Sequence, residues 1–286
     1  ALPSPINSLK DESTQALSSD GNTLVFTACH LKNGLGSCDL YRSTRINNTW
    51  SVPENLGPEV NSPHWESQPC LANDGNTLLF SSNRPGGKGG KDLYVSHKRD
   101  GSWTKPQNLG VPVNTAGDEG APFLHFSGQE LYFMSNGHPG MGRQDIFLAK
   151  KSAELWDTVI HLPPPINSFK EEASLIVDLK GKRATYAVQQ KGISDTRFRN
   201  MDIIQFDLPE AYQASLSAVL SGSVKHEQKA VDLASIEIYS LDGTFLKKLE
   251  TDPNGHFLLT VSAGKNYGIS VEKEGYIIYS EQFDLT

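Results

Sequence analysis

The sequence repeats itself about every 53 residues, and this period limits the possible folds more than any other feature. Four similar blocks occur in order along the chain: INSLKDES, VNSPHWES, VNTAGDEG and INSFKEEA. Their asparagines stand at positions 7, 61, 114 and 167, with spacings of 54, 53 and 53 residues. A fixed period of this length indicates successive copies of one supersecondary unit.

Other landmarks recur in register with these asparagines. Each unit has a glutamate where its first strand opens and an aspartate before its third strand, and three units add a tryptophan. The recurring residues are Glu12, Glu66, Glu119 and Glu172; Asp39, Asp92, Asp145 and Asp202; and Trp50, Trp103 and Trp156. Each unit reads as four short strands separated by Gly, Asn, Asp and Pro, with no segment suited to a long helix. The pattern predicts an all-β fold: a β-propeller with four recognisable blade repeats.

Three segments carry a resemblance to a known family: LSSDGNTLVFTA, LANDGNTLLFSSNRPGGKGGKDLY and LHFSGQELYFMSNGHPGMGRQDIF. They resemble the TolB-type, WD-repeat-like β-propellers, and we expect a propeller domain over residues 1–210. The fourth unit keeps its turn and third strand but lacks the tryptophan and the fourth strand. ALPSP matches the tail of a fourth strand, so the N-terminal segment either closes unit four or is the cut end of an upstream blade. We expect a chain taken from a longer propeller-bearing protein.

The pattern changes at about residue 215. Six or seven short strands linked by turns such as DPNG predict a small β-sandwich over residues 215–286. The Gly-x-Val opening and the Gly264…Tyr267…Gly275-Tyr276 close resemble the transthyretin-like, carboxypeptidase regulatory-like domain. That resemblance implies a spacer without catalytic residues. The order of the two domains resembles the OmpA-family envelope proteins of the Bacteroidetes type, a group with a type IX secretion component. An OmpA-like domain is absent from this sequence, so peptidoglycan would be reached only through a domain that is not present.

The net charge, the apolar runs and the cysteines of the chain limit its possible binding partners and cofactors. The net charge of −7 argues against nucleic-acid binding and adsorption to anionic lipid. No apolar run approaches the ~20 residues of a membrane helix, so we expect no direct membrane insertion. Cys29 and Cys38 flank an eight-residue loop and form either a cross-loop disulfide or two free thiols, whereas Cys70 takes a core position. No zinc motif is present, and we expect neither a metal nor a cofactor.

The stretch SSNRPGGKGGKDLY raises the question of phosphate binding. A phosphate-binding loop of the GxxxxGK[ST] type opens a helix, but a strand follows this stretch, and GHPGMGRQD repeats it one unit later. We therefore interpret it as a turn between strands in which glycine relieves backbone strain. A basic, partner-binding surface remains the alternative, and its candidate residues are Arg84, Lys88, Lys91, His138 and Arg143.

The repeated acids have two interpretations. Glu12, Glu66, Glu119 and Glu172 either form one structural bond per blade or ring the mouth of the central channel, where they would hold a cation or a cationic partner. The repeated aspartates are expected to cap backbone donors, and the tryptophans to wedge between blades. Because the acids look equivalent by repeat, they do not suggest the two unequal carboxylates of a glycosidase.

These observations lead to one main functional prediction and two alternatives. The main prediction is a non-enzymatic protein-binding scaffold of the bacterial cell envelope, periplasmic or outer-membrane-associated, with an outer-membrane or secretion-complex protein as partner. No GxSxG motif is present, and we expect no catalytic residue. The alternatives are a carbohydrate-binding or carbohydrate-active propeller with its site at the central channel, and a calcium-stabilised structural module.

Overall fold

A computed structural model describes residues 2, 4–8, 10–46, 48–99, 101–152, 155–169, 172–189 and 201–285. Its regular structure is almost entirely β-strand, with a single 3-10 turn at Glu210–Tyr212 among the described residues. The chain forms two compact units, residues 1–214 and residues 215–286. In the described residues, no helix is both long and apolar enough to cross a membrane.

Within the described residues, unit 1 contains four antiparallel sheets that follow one another along the chain. Sheet I comprises β1 (Asp11–Leu17), β2 (Thr23–Cys29), β3 (Cys38–Ile46), β4 (Thr49–Trp50) and β5 (Glu54–Asn55). Sheet II comprises β6 (Glu66–Leu71), β7 (Thr77–Ser82), β8 (Asp92–Arg99), β9 (Ser102–Trp103) and β10 (Gln107–Asn108). Sheet III comprises β11 (Glu119–Leu124), β12 (Glu130–Ser135), β13 (Asp145–Ser152) and β14 (Leu155–His161). Sheet IV comprises β15 (Ala173–Val177), β16 (Arg183–Gln189) and β17 (Met201–Asp207).

The second strands of sheets I, II and III are buried on both faces, which explains their short apolar sequences. In β7, Leu78 and Phe80 pack with Val25 and Leu40 of sheet I. Leu79, between them, faces the other way and packs with sheet III. Because successive side chains of one strand point to opposite faces of the sheet, the same strand packs against both neighbouring sheets. The same arrangement joins sheet III to sheet IV.

The first strands of consecutive sheets lie against one another, from β1 through β6 and β11 to β15. Each carries a bulge with one residue in the left-handed region, at Thr14, Gln68, Ala121 and Ser174. At its bulge, Gln68 contacts both neighbouring first strands. Its backbone amide donates to Thr14 Oγ1 at 3.2 Å, and its side-chain Oε1 accepts from the Ala121 backbone amide at 2.9 Å. Hydrogen bonds therefore link the first strands of sheets I, II and III.

The recurring asparagine also joins each sheet to the preceding one. Asn114 Oδ1 accepts from the Leu93 amide at 2.9 Å, and Asn114 Nδ2 donates to the Leu93 carbonyl at 2.9 Å. Asn61 makes the same pair of bonds to Leu40, and Asn167 to Ile146. Each asparagine thus pairs with the third strand of the preceding sheet as a neighbouring strand would.

Cysteine and tryptophan side chains have three different roles in unit 1. A disulfide joins Cys29 and Cys38 across the loop between β2 and β3. Cys70 is buried, its sulfur accepts from the Leu124 amide at 3.3 Å, and burial raises its pKa to about 11. Trp103 packs on the apolar cluster between sheets I and II, and Trp156 on the cluster between sheets II and III.

Unit 2 has its own core beneath short strands. Its strands are β18 (Ser217–Ser223), β19 (Lys225–His226), β20 (Lys229–Ala230), β21 (Ser235–Ser240), β22 (Phe245–Glu250), β23 (His256–Ser262), β24 (Asn266–Glu272) and β25 (Tyr279–Asp284). Strands β22, β21, β24 and β25 form one sheet in that order, while β18 pairs with β23 and β19 with β20. Ile236, Ile238 and Leu259 lie at the centre of the core.

Candidate functional site

The four repeated glutamates open the first strands, and each accepts a hydrogen bond from the hydroxyl group four residues earlier. The Oε1 atoms of Glu66 and Glu119 accept from Ser62 and Thr115 at 2.6 Å, and a second hydroxyl from β7 or β12 adds a bond of 2.7 Å to each. Their Oε2 atoms accept from the backbone amides of Ser62 and Thr115. Each of these two carboxylates therefore accepts three hydrogen bonds, from the segment before its strand and from the second strand of its sheet.

Glu172 breaks this pattern. Its Oε1 accepts from Ser168 Oγ at 2.6 Å, but its Oε2 is buried without a hydrogen-bond partner. The sequence supplies the reason: positions 82 and 135 are serines that donate to Glu66 and Glu119, whereas position 188 is valine. Burial raises the pKa of the Glu172 carboxyl above its usual value, and the charge of Asp145 adds to the rise.

The neighbouring aspartate also has an altered environment. Asp39 and Asp92 each accept a bond of 2.7 Å from an asparagine side chain, Asn55 or Asn108. The next residue at that spacing is His161, whose Nε2 lies 3.5 Å from Asp145 Oδ2 and has no hydrogen-bond partner. The junction of sheets III and IV thus combines a donor-bonded aspartate, a histidine and a carboxyl group with a raised pKa. The acids that looked equivalent by repeat are chemically unequal.

The glycine-rich stretch is a loop between β7 and β8 whose amides already have partners. The amides of Lys88 and Gly89 donate to the Asp92 carboxylate, the latter at 3.0 Å. The Gly90 amide donates to the Gly117 carbonyl of sheet III at 3.0 Å. A Cβ atom on Gly89 would lie only 1.9 Å from the same carbonyl, so the close approach of the two loops requires glycine. These amides are therefore used within the fold and are not free to bind phosphate.

Two of the five predicted partner-binding residues point inward. Arg84 lies over the rings of Phe80 and Tyr94, and its Nη2 donates to the Val60 carbonyl at 2.6 Å. Arg84 also lies 3.2 Å from the buried Glu66 carboxylate. One sheet later, His138 Nε2 lies 3.0 Å from the Val113 carbonyl, an equivalent position. Both side chains fill the junction between consecutive sheets.

The other three basic residues, Lys88, Lys91 and Arg143, lie partly or fully at the surface. Only Lys91 has ring and carboxylate partners. Its ammonium lies 5.1 Å from the centre of the Trp65 ring, and its Nζ lies 3.9 Å from Asp118 Oδ2. We call Trp65, Lys91 and Asp118 the Trp65 patch.

The backbone fixes the Trp65 patch. Trp65 and Asp118 occupy the same place in successive units, directly before the buried glutamate of the first strand. The Trp65 amide donates to Asn83 Oδ1 at 2.9 Å, and the Asp118 amide to Asn136 Oδ1 at 2.7 Å. A parallel bridge joins Lys91 to Asp118, which holds the two loops together. The patch is therefore an ordered surface where the first strands of sheets II and III begin.

Sequence reasoning missed Trp65, Asp118 and His161. For Trp65 and His161 the signal was a departure from the repeat: tryptophan where the other units have an acid, and histidine where units one and two have asparagine, whereas Asp118 follows the repeat. The Asp202 side chain lies outside the described part of the chain. Within the described residues, no group of three or more His, Cys, Asp or Glu side chains is arranged to hold a metal ion.

No protein-family model matches the sequence, and no curated protein matches it significantly. Solved structures do match the fold. An α-L-arabinofuranosidase from Lactobacillus brevis is 14% identical with a TM-score of 0.45, and the match covers 68% of this chain and 71% of that one. A periplasmic gluconolactonase from Pseudomonas aeruginosa is 14% identical (TM-score 0.37; coverage 96% and 88%). The β-propeller domain of the trilobed protease from Pyrococcus furiosus is 10% identical (TM-score 0.36; coverage 96% and 81%). Unit 1 itself has the arrangement of a β-propeller, because consecutive antiparallel sheets follow one another along the chain and their first strands lie side by side.

These neighbours correct two predictions from the sequence. A non-enzymatic protein-binding scaffold without catalytic activity was expected, but several neighbours are glycoside hydrolases, including family-43 enzymes and a xylosidase. The physical reason for the error lies in the chain itself, because the equivalence of the acids on which the exclusion of an enzyme rested does not hold. At such low identity the likeness concerns the fold, so activity is argued below from this chain's own residues.

Proposed function

We propose that the protein binds carbohydrate at the Trp65 patch. One observation carries this proposal: an aromatic ring, an ammonium and a carboxylate meet at the start of two adjacent first strands. A half-buried indole offers a flat apolar face, and charged groups beside it can hydrogen-bond to hydroxyl groups. Carbohydrates present both an apolar face and a rim of hydroxyl groups, so they suit such a surface.

The arrangement of the patch supports the proposal further. The patch lies where the first strands of sheets II and III begin, and these strands lie side by side. Because hydrogen bonds already hold the backbone of Trp65 and Asp118, this backbone loses little conformational freedom when a ligand binds. Lys91 and Asp118 keep 43% and 33% of their side-chain surface exposed, so a ligand can reach both groups.

Glycan-array screening followed by calorimetric titration tests the proposal. The wild-type protein is expected to bind at least one class of oligosaccharide, and Trp65→Ala is expected to weaken binding at least about tenfold. Lys91→Ala should weaken binding too. Lys88→Ala is the matched control, because Lys88 lies in the same loop but does not contact Trp65. Absence of glycan binding by the wild type, or equal binding by Trp65→Ala, would refute the proposal.

A second candidate function is carbohydrate turnover at the junction of sheets III and IV. Glycoside hydrolysis needs one carboxyl group that retains its proton and one that is ionised. Burial raises the pKa of the Glu172 carboxyl, whose Oε2 lacks a donor, whereas the neighbouring Asp145 carboxylate accepts backbone N–H bonds from Met141 and Gly142. We rank this function second because both side chains are about 2% exposed.

Turnover is tested with chromogenic aryl glycosides across a pH series. Glu172→Gln is expected to abolish hydrolysis if Glu172 donates the proton, and Glu12→Gln, at the matching position of unit one, should leave it unchanged. Hydrolysis that survives in Glu172→Gln would exclude this residue as the acid.

The finer architecture and the location remain proposals with their own support. We propose that sheets I to IV are four consecutive TolB-type blades, supported by their common strand order and the recurring asparagine bonds. A carboxypeptidase regulatory-like fold for unit 2 is supported by its short antiparallel strands and turn positions. The Cys29–Cys38 disulfide supports an oxidising location such as the periplasm.

A further inference from the structure

The asparagine contact that joins consecutive sheets lacks its counterpart at both ends of the series. Asn61, Asn114 and Asn167 are almost fully buried, and each binds the third strand of the preceding sheet. Asn7 holds the same position in unit one but is exposed, and its amide donates to the carbonyl of Leu2 in its own segment. In the described part of the chain, the side-chain amide of Asn7 is thus without the third strand to which the equivalent asparagines hydrogen-bond.

At the opposite end of the series, the third strand of sheet IV is, within the described residues, without the asparagine that binds the third strands of the other sheets. Leu40, Leu93 and Ile146, whose backbones the three buried asparagines bind, are at most 1% exposed. The residue after the fourth repeated aspartate is Ile203, and it is 80% exposed. Its backbone occupies the position to which an asparagine side chain hydrogen-bonds in the other three sheets.

A cleft of about 580 Å³ adjoins Asn7, and its lining is half apolar (Leu2, Ile6, Leu24 and Phe26) and half polar (Asn7, Glu12, Ser13 and Gln15). Leu2 is 41% exposed, whereas Ile6, Leu24 and Phe26 are at most 4% exposed at its floor. The residues of sheet II that match Leu24 and Phe26 are Leu78 and Phe80, and they pack against the preceding sheet. The cleft on sheet I is therefore the surface on which a preceding sheet would pack.

Sheet IV offers the matching apolar surface. Ile176 of β15 is 52% exposed and occupies the position of Cys70 and Phe123. Cys70 packs against sheet III, and Phe123 packs on the cluster that joins sheets III and IV. Ile176 and Ile203 thus lie on the face that would meet a following sheet.

We propose that a second copy of this chain occupies the Asn7 cleft, with Asn7 of one copy bound to the Ile203 backbone of the other. The argument is that the complementary surface is present on the chain itself and that the junction geometry already occurs three times. Two copies form two identical junctions, and the eight sheets fall within the roughly four to eight blades of propellers. The proposal does not depend on carbohydrate binding, since the Trp65 patch lies between sheets II and III.

Light scattering coupled to size-exclusion chromatography tests the proposal on the full 286-residue chain. The wild type is expected to shift from monomer to dimer over about a hundredfold range of concentration. Asn7→Ala removes the recognition amide, and Ile203→Glu places a charge in the apolar contact. Each variant alone is expected to weaken dimerisation at least about tenfold.

Mixing the two variants separates loss of the interface from misfolding. In the mixture, intact Asn7 of the Ile203→Glu chain can bind intact Ile203 of the Asn7→Ala chain, so one complete junction forms. A mixed dimer, at concentrations where each variant alone is monomeric, is the expected result. A wild type that stays monomeric throughout, or a dimer that persists in both single variants, would overturn the proposal.

Discussion

Replacement of Asn114 by alanine measures how much the recurring asparagine contributes to stability. Asn114 is completely buried between sheets II and III. Its side chain makes two bonds of 2.9 Å to the Leu93 backbone and one of 2.8 Å to Asn108 Oδ1. The Leu93 carbonyl retains the Leu109 amide as a donor, and Asn108 Oδ1 retains the Gly110 amide. The Leu93 amide alone loses its only described partner.

The expected cost follows from these contacts. A buried N–H group left without a partner costs about 1–3 kcal/mol, and each of the other two lost hydrogen bonds about 0.5–1.5 kcal/mol. Asn114→Ala should therefore lower the free energy of unfolding by about 4 kcal/mol. This is a large share of the roughly 5–15 kcal/mol that stabilises a typical domain.

Urea unfolding followed by tryptophan fluorescence gives the measurement, and Asn7→Ala is the matched control. Asn7 occupies the same repeat position but is exposed, so its substitution should cost less than about 0.5 kcal/mol at a low protein concentration, where copies do not associate. Equal losses in the two variants would show that burial and pairing of the asparagine are not what stabilises the junction.

Three further outcomes follow from individual contacts. Burial raises the pKa of Glu172 in the folded state, so its contribution to stability is present below the unfolded pKa and is lost as pH rises through the folded pKa; Glu172→Gln should therefore make urea-unfolding stability less dependent on pH above the unfolded pKa and raise it above the folded pKa. Reduction of the Cys29–Cys38 disulfide, which closes a loop with a sequence separation of 9, should cost ~2–3 kcal/mol in calorimetry, and an unchanged melting temperature would contradict this. Gly89→Ala should cost ~1–3 kcal/mol by the same unfolding assay, because its Cβ would lie 1.9 Å from the Gly117 carbonyl; an unaltered stability would mean that the loops separate easily.

Much of the architecture could be predicted because its determinants recur at fixed positions. The period, the glycine turns and the apolar second strands lie in the sequence itself, and local composition determines where such strands begin and end. The bonds of Asn114 and its equivalents could not be predicted, because they depend on how one sheet packs against the next. The same holds for Arg84, whose charge suggested a surface role but whose guanidinium lies over two aromatic rings.

The unequal carboxylates show a different limit of sequence reasoning. Glu172 looked like its three equivalents because only the glutamate column was compared. Its special environment comes from position 188, where valine replaces a serine that donates to the glutamate in two other units. Comparing each residue's partners across the units, in addition to the residue itself, would have separated Glu172 and Glu12, which lie opposite valine and alanine, from Glu66 and Glu119.

The asparagine contact has a consequence for how such a protein can change by gene duplication. Asn61, Asn114 and Asn167 bind the third strand of the preceding sheet through its backbone, so these bonds do not depend on which apolar side chain stands at the contacted position. A newly copied unit therefore brings a compatible junction at both of its edges without any compensating substitution. Gain or loss of a whole unit is then a single genetic step, which helps to explain why propellers with different numbers of blades can arise from one repeat.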